Sequence, residues 1–580
     1  MSKLSVDQKT ITQFFQDKHA DFLIPDYQRP YDWGPDECNE LWSDLVNFAI
    51  PDDDPFKFDK NSEYFLGPLT LFKNENGKQE IIDGQQRLTT LMLLLRCFYK
   101  SFGKMEDEKV KSTKKNIARC IWKTDEFEEP DFSLLKIDSE VASDEDKEEF
   151  LDILKSGEVD KKSKSKYAQN YRLLENQITQ FRDEYPEYLS YLAIRILNNC
   201  ILLPIEADSQ DTALTIFSTL NDRGKPLSDA DIFKAQLYKF YSSINKRDLF
   251  VEQWKDVEER SKKLFKNSSA PMDELFTRYM YYIRAKQGNK DTTTESLRRF
   301  YQKDDFALLK QESTFSDMQG LLKFWEDINY QNNDRFSDDV LKRLFVLNYA
   351  PNGMWTYLLS VYFMHHKDKN GNLEDKTLLP FLNRMIAFIW TYAVVKPGVN
   401  SLRTPVYAEM VNIVNDKEEN FKNFAFDVKD VKTHFEVFGF SNMRSITRSM
   451  LAWWLMERPD QELLSLETAF DIEHIYPRAR NEKEKSLIDS RNIESLGNKS
   501  LLERKINISA SDYRLGDKKK YYLGYQPSKG SKKAGTKIQD LIQLAKNKND
   551  FSEKDIMTRN SEILSSWLEY LHKNELLKSE

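Results

Sequence analysis

Cysteine, histidine and long apolar runs are all scarce in this chain. The four cysteines, Cys38, Cys97, Cys120 and Cys200, lie far apart and form no C-x-x-C pair. That argues against a disulfide framework and a cysteine-based zinc site, and fits a reducing cytoplasm. The longest uncharged apolar run, Met385 to Val395 (MIAFIWTYAVV), is about half of what a membrane span needs and reads as a buried helix. The N-terminal MSKLSVDQKT has no apolar signal-peptide core. No G-x-x-x-x-G-K-[ST] loop occurs, so P-loop phosphate chemistry is excluded. No internal repeat is evident.

What is present describes a soluble, multi-domain chain. At 580 residues and 68.5 kDa it is too long for one ordinary core, and three or four domains are expected. Charged residues are 31 %, apolar residues 40 % and aromatics 13 %, which argues against wholesale disorder. The net charge of −8 is not that of a general nucleic-acid coat protein. The average conceals a split. Between Tyr476 and Asp550 there are 18 Lys and Arg against 9 Asp and Glu, or +9 in 75 residues, which leaves −17 for the remainder.

The fold expected is α+β and predominantly helical. Glu63 to Phe72 (EYFLGPLTLF) and Gln79 to Ile82 (QEII) read as strands around a turn at Asn74–Gly77. A helix follows, with Leu88, Leu91, Met92 and Leu95 on one face. Residues 101–166 alternate charge sign and carry few strong apolar runs, so they read as an insertion of solvated helices and loops. Cys200 to Ala207 reads as a buried strand, Asp211 to about Leu220 as a helix, and Asn221-Asp222-Arg223-Gly224 as the turn that ends it. Ser228-x-x-Asp231 is a capping box for the next helix. Residues 245–460 read almost entirely as helix. The boundaries expected are 1–240, 241–440 and 441–580.

The most informative segment starts at Asp471 (DIEHIYPRAR) and runs on through RNIESLGNKSLLERKIN to Asn507. The acid–histidine pair Glu473-His474 is followed by Asn498 in a Gly-Asn turn and by Asn507 nine residues later. This spacing resembles the HNH nucleases, in which a β-hairpin and a helix grip one divalent ion. The residue types suit phosphodiester hydrolysis. An imidazole with a pKa near 6.5 can take a proton from water at pH 7, and oxygen ligands suit Mg²⁺ or Mn²⁺. His474 is the candidate general base. Glu473 and Asn507 are candidate metal ligands, and Asn498 could ligate metal or orient His474 and the hairpin. Pro477 shapes the turn after the strand. His19, His365, His366, His434 and His572 lack comparable surroundings. Arg478, Lys518, Lys519 and Lys520 are candidate DNA contacts. The last three sit among Tyr513, Tyr521, Tyr522 and Tyr525, where cations can neutralise phosphates and aromatics can stack on bases.

A second constellation lies near the N-terminus. Asp83-Gly84-Gln85-Gln86-Arg87 separates a short strand from a helix, so glycine permits a tight turn and the first helical N–H groups can face an anion. Arg87 can clamp a phosphate with its planar fork. Asp83 can position a metal or a ribose hydroxyl. Gln28 and Arg29, within IPDYQRPYDW, and the NDRGKPLS segment can add walls to one pocket, although Tyr31 and Trp33 are as well explained as core.

Together, IPDYQRPYDW, IIDGQQRLTTL and FSTLNDRGKPLSDADIFK resemble the DGQQR-motif domain of GmrSD-type restriction proteins. DIEHIYPRAR…LGNKSLLERKIN resembles the HNH-like domain that accompanies it. The likeness spans roughly residues 10–240 and 440–570. It implies an N-terminal ParB/sulfiredoxin-like α/β domain, a central helical region and a C-terminal HNH (ββα-metal) nuclease domain. It also implies a cytoplasmic type IV enzyme of bacterial anti-phage defence that cuts modified phage DNA with Mg²⁺ or Mn²⁺. The N-terminal domain would bind and hydrolyse a nucleoside triphosphate through Gln28, Arg29, Asp83, Gly84, Gln85, Gln86 and Arg87. A homodimer would help with double-strand breaks, because one HNH site cuts one strand at a time. HNH nucleases often carry Asp where this chain has Glu473, which leaves open a second reading: a nucleotide-switched protein that binds DNA without cutting it.

Overall fold

The computed structural model describes residues 4–17, 20–103, 107–141, 144–209, 212–213, 228–418, 421–528 and 531–578. The architecture is α+β with helix predominating. The chain divides into two compact units. One comprises Met1–Glu259 with Asp304–Gln311, and the other Arg260–Lys303 with Glu312–Glu580.

The first unit is built on a mixed sheet. Its strands are β1 (Leu4–Val6), β2 (Lys9–Thr10), β3 (Phe22–Ile24), β4 (Tyr64–Lys73) and β5 (Gln79–Asp83). A separate hairpin of β6 (Trp122–Thr124) and β7 (Pro130–Leu135) precedes β8 (Ile137–Ser139) and β9 (Cys200–Ala207). The sheet order is β1-β9-β4-β5-β3-β8, and β2 also pairs with β9. β4 runs parallel to β9 and antiparallel to β5, while β3 runs parallel to both β5 and β8. The two strands expected around the Asn74–Gly77 turn are therefore β4 and β5.

The helix Gln85–Phe102 follows β5 directly. Its expected apolar face is present, and Leu93, Leu94, Cys97 and Phe98 are buried as well. A helix buried on all sides belongs in the middle of a core, and here the helices Glu108–Ile121 and Lys166–Glu184 flank it.

Residues 101–166 are not solvated as expected. Val110, Ile117, Cys120 and Ile121 of Glu108–Ile121, Ile137 of β8, and Phe150, Ile153 and Leu154 all enter the core. The helix Glu108–Ile121 buries Val110, Ile117, Cys120 and Ile121 and exposes Lys111 and Lys115 between them. Sign-alternating charge on the outer face thus masks a genuine core stripe. Of the expected helix from Asp211 to Leu220 only Thr212 and Ala213 are described, and the Asn221–Gly224 turn, with Arg223, lies outside the described residues. The capping box beyond them is formed: the Ser228 hydroxyl accepts from the Asp231 N–H at 3.2 Å, and the Asp231 carboxylate accepts from the Ser228 N–H at 3.1 Å.

The second unit holds most of the helical stretch together with the C-terminal segment. Asp375–Val395 is long and apolar enough to cross a bilayer. Met385, Ile386, Phe388, Ile389 and Trp390 within it are nonetheless wholly buried, and Trp567 Nε1 donates to Thr391 Oγ1 at 3.1 Å. It is a core helix of this unit. The unit's two-stranded antiparallel sheet pairs β10 (Phe470–His474) with β11 (Lys499–Glu503), and the helix Arg504–Ala510 follows at once. All four cysteines are buried free thiols.

Candidate functional site

His474 is the last residue of β10, directly opposite Lys499 in register. Side chains paired across an antiparallel ladder leave it on the same face, so Lys499 stands beside the imidazole. Burial, followed by the Lys499 and Arg478 cations, pulls the imidazole down to about 3, against the opposing pull of Glu494. That is well below the 6.5 on which the sequence argument relied. The ring is neutral at pH 7, and its buried Nε2 has no hydrogen-bond partner among the described residues. Glu494 Oε1 is 3.9 Å from that nitrogen and accepts a hydrogen bond from Arg478 Nη2.

Glu473, expected to ligate metal beside His474, points elsewhere. Successive strand residues face opposite sides of a sheet. Glu473 Oε1 accepts from Lys518 Nζ at 2.7 Å and from the Tyr522 hydroxyl at 2.5 Å, and the carboxylate is almost fully buried. Burial pushes its pKa up, against the pull of Lys518 and Tyr522. Glu473 and Lys518 are thus committed to each other. Lys518 is 1 % exposed and does not reach solvent where a DNA phosphate would lie.

Asn498 is fully buried and fully bonded. Its Oδ1 accepts from the Tyr476 N–H at 2.7 Å, and its Nδ2 donates to Tyr476 O at 3.0 Å and Ile493 O at 3.1 Å. Its amide closes the loop that follows His474. The preceding Gly497 is required by packing. A Cβ there would strike the carbonyl oxygen of Ile556 in the helix Glu553–Lys573. Arg559 of that helix donates to the carbonyls of Leu496, Gly497 and Lys499 and pairs with Asp540.

Asn507 lies half-buried on Arg504–Ala510. Among the described residues no group of three His, Cys, Asp or Glu side chains is placed to hold a metal ion. With Glu473 held by Lys518 and the Asn498 oxygen by a backbone N–H, the expected ligands do not fit a hard divalent cation as they stand.

Of the remaining basic residues, Arg478 is half exposed, and Lys519 donates to Asn549 Oδ1 at 2.7 Å. Lys520 is exposed, 5.0 Å over the Tyr521 ring, which stacks with Tyr513. Sequence reasoning missed Glu494 and Lys499. Both lie within the RNIESLGNKSLLERKIN segment, but strand register places Lys499 beside His474 and the Lys499 ammonium holds Glu494 there.

In the first unit the DGQQR residues divide into builders and charges. Gly84 caps Gln85–Phe102 with φ +88°, and a Cβ there would strike Leu69. Gln28 Nε2 donates to Ile82 O at 2.9 Å, and Gln85 Nε2 donates to Arg29 O at 2.5 Å. Gln86 Oε1 accepts from the N–H groups of Asp32 (2.6 Å) and Trp33 (3.2 Å), while its Nε2 donates to Pro30 O at 3.1 Å. The three amides thus staple the Gln28–Trp33 segment to the strand–helix junction. Tyr31 is core: it is buried and bonded to Thr90 and Asn170.

The charged members are Asp83, Arg87 and Arg29. Burial pushes the Asp83 carboxyl up, against the Gly84 N–H, Arg87 and Arg29. Burial pulls Arg87 down, against Asp83, and its Nη1 donates to Pro68 O at 3.1 Å. Gly67, at φ +114°, leaves the room that the Arg87 guanidinium occupies.

Two comparisons bear on these sites. The model of the GmrSD restriction endonuclease N-terminal domain matches residues 11–238, and that of the GmrSD restriction endonuclease C-terminal domain matches residues 425–566. No curated protein matches the chain.

Proposed function

The chain belongs to the GmrSD restriction endonuclease family, and from that premise we propose that it is a restriction nuclease of anti-phage defence, with DNA as its substrate and His474 as general base. One observation carries the assignment: a neutral imidazole with an unpartnered Nε2 beside the Arg478–Glu494 pair. Water attacks the phosphorus and gives its proton to Nε2, which is buried in this structure and has to be opened to the substrate for the step. The P–O3′ bond breaks, and the 3′ oxygen takes a proton from solvent. Arg478 meets the charge that builds on the non-bridging oxygens. An incoming phosphate anion also offsets the two neighbouring cations and so raises the basicity of the imidazole. No step is assigned to a metal, because the expected ligands do not assemble a site for one.

The surface around Lys520, Tyr513 and Tyr521 supports a DNA track. Modified phage DNA is the proposed target. The first unit is proposed to bind and hydrolyse a nucleoside triphosphate through Asp83, Arg87 and Arg29, within a frame held by Gln28, Gln85 and Gln86.

A second reading has one observation in its favour: Lys518 and Tyr522 engage the carboxylate expected to hold metal. A nucleotide-switched DNA-binding protein would need no such site. Cleavage of modified and unmodified DNA by wild type and His474→Ala separates the two readings. Loss of cutting in the variant supports the nuclease, and a wild type that binds DNA but cuts none supports the sensor.

A further inference from the structure

Lys499 carries an ammonium group that is wholly buried, a placement that costs free energy unless every donor is matched. Here every donor is matched. Nζ donates to Phe440 O at 2.5 Å, Asn442 Oδ1 at 2.8 Å and Glu494 Oε2 at 2.6 Å. An ammonium has three N–H groups, so Lys499 has none left for a ligand. Its effect is to fix one oxygen of Glu494. The other oxygen, Oε1, then receives Arg478 and faces His474 Nε2 at 3.9 Å.

The Glu494 carboxyl is held below the ordinary carboxylate range: the Lys499 and Arg478 bonds outweigh the upward push of burial. It therefore stays ionised and keeps its grip on both cations. Arg478 is half exposed, unlike Lys499. A guanidinium has five N–H donors in a fixed plane, so the bond from Nη2 to Glu494 leaves further donors on a half-exposed side chain beside the imidazole. A buried ion pair adds little to stability compared with apolar residues of the same volume. The chain Phe440–Lys499–Glu494–Arg478 instead gives a solvent-facing cation a fixed bearing.

We propose that Glu494, locked by Lys499, is a positioning residue of the nuclease site: it aims Arg478 at a non-bridging oxygen of the phosphodiester whose attacking water faces His474. The inference rests on the nuclease reading above. Misplacing such a donor by about 1 Å costs up to about 100-fold in rate.

The test is DNA cleavage by the full chain with Arg478→Ala, Glu494→Gln, Glu494→Asp and the Arg478→Ala/Glu494→Gln double variant. His474→Ala is the control, and thermal melts check folding. Arg478→Ala and Glu494→Gln are each expected to lower kcat by about 10- to 100-fold while KM for DNA changes less than kcat. The double variant should be no slower than Arg478→Ala alone. Glu494→Asp, which keeps the charge, should recover part of the rate. If Glu494→Gln cuts at the wild-type rate, or its loss multiplies that of Arg478→Ala, the positioning role is overturned while the nuclease reading stands. A wild type that cuts no DNA overturns both.

Discussion

Glu473 and His474 are adjacent on one strand, and their side chains leave it on opposite faces. Glu473 is bound to Lys518 and Tyr522, whereas His474 faces Glu494. The pair read in sequence as a metal ligand and a general base is thus divided between the two faces of the strand, with Glu473 bound to Lys518 and His474 left for the role proposed above.

If Glu473 is structural, its partner should matter for stability. Lys518→Met leaves a carboxylate buried and unpaired and is expected to cost about 3–5 kcal/mol. Adding Glu473→Gln to Lys518→Met should recover most of that loss. Urea unfolding of the two single variants and the double variant measures both effects. A Lys518→Met protein as stable as wild type would show that the pair does not hold the hairpin.

Gly497 lies against the backbone of the helix Glu553–Lys573. Backbone cannot move aside as a flexible side chain can, so Gly497→Ala is expected to destabilise the second unit by about 1–3 kcal/mol. Denaturant midpoints followed by tryptophan fluorescence check this. An unchanged midpoint would mean that the helix does not sit where it is described.

The His474 shift has a definite sign. The unfolded imidazole titrates near 6.5 and the folded one near 3. Between those values the unfolded state holds a proton that the folded state lacks. This contribution to stability is complete above about pH 6.5 and is lost as pH falls through 3. From pH 7.5 to 4.5, wild type should lose about 2–3 kcal/mol more than His474→Asn. Equal losses would contradict a buried, neutral imidazole.

In the first unit, Gln86→Ala removes the acceptor for two backbone N–H groups. It should lower stability by about 1–3 kcal/mol, whereas Arg87→Ala should chiefly weaken nucleotide binding. Unfolding curves and calorimetric titration with ATP, GTP, CTP and UTP separate the two. Gln86→Ala with full stability and no nucleotide binding would make the amide a ligand rather than a staple.

What the sequence made legible follows from how local each signal was. β4, β5, the helix Gln85–Phe102 and the Ser228 cap rest on short-range patterning and turn chemistry, and they stand where that patterning puts them. The core role of residues 108–154 was hidden because few apolar positions sit among many charges. His474 was legible as a residue of interest because its Glu and Asn neighbours are distinctive in sequence. Its environment was not, because Lys499 reaches it only through strand register and Glu494 only through the Lys499 ammonium. Lys518 misled for the same reason: three consecutive lysines look alike in sequence, and the turn of the helix Leu515–Leu523 buries one of them.

The most direct test of the central claim is single-turnover cleavage of modified and unmodified phage DNA by the full chain, with nucleoside triphosphate and Mg²⁺ or Mn²⁺ present. The measurement compares wild type with a His474→Ala protein of matched thermal stability. The account predicts cutting by wild type and its loss by at least about 100-fold in the variant. Cutting at the wild-type rate by His474→Ala would contradict it.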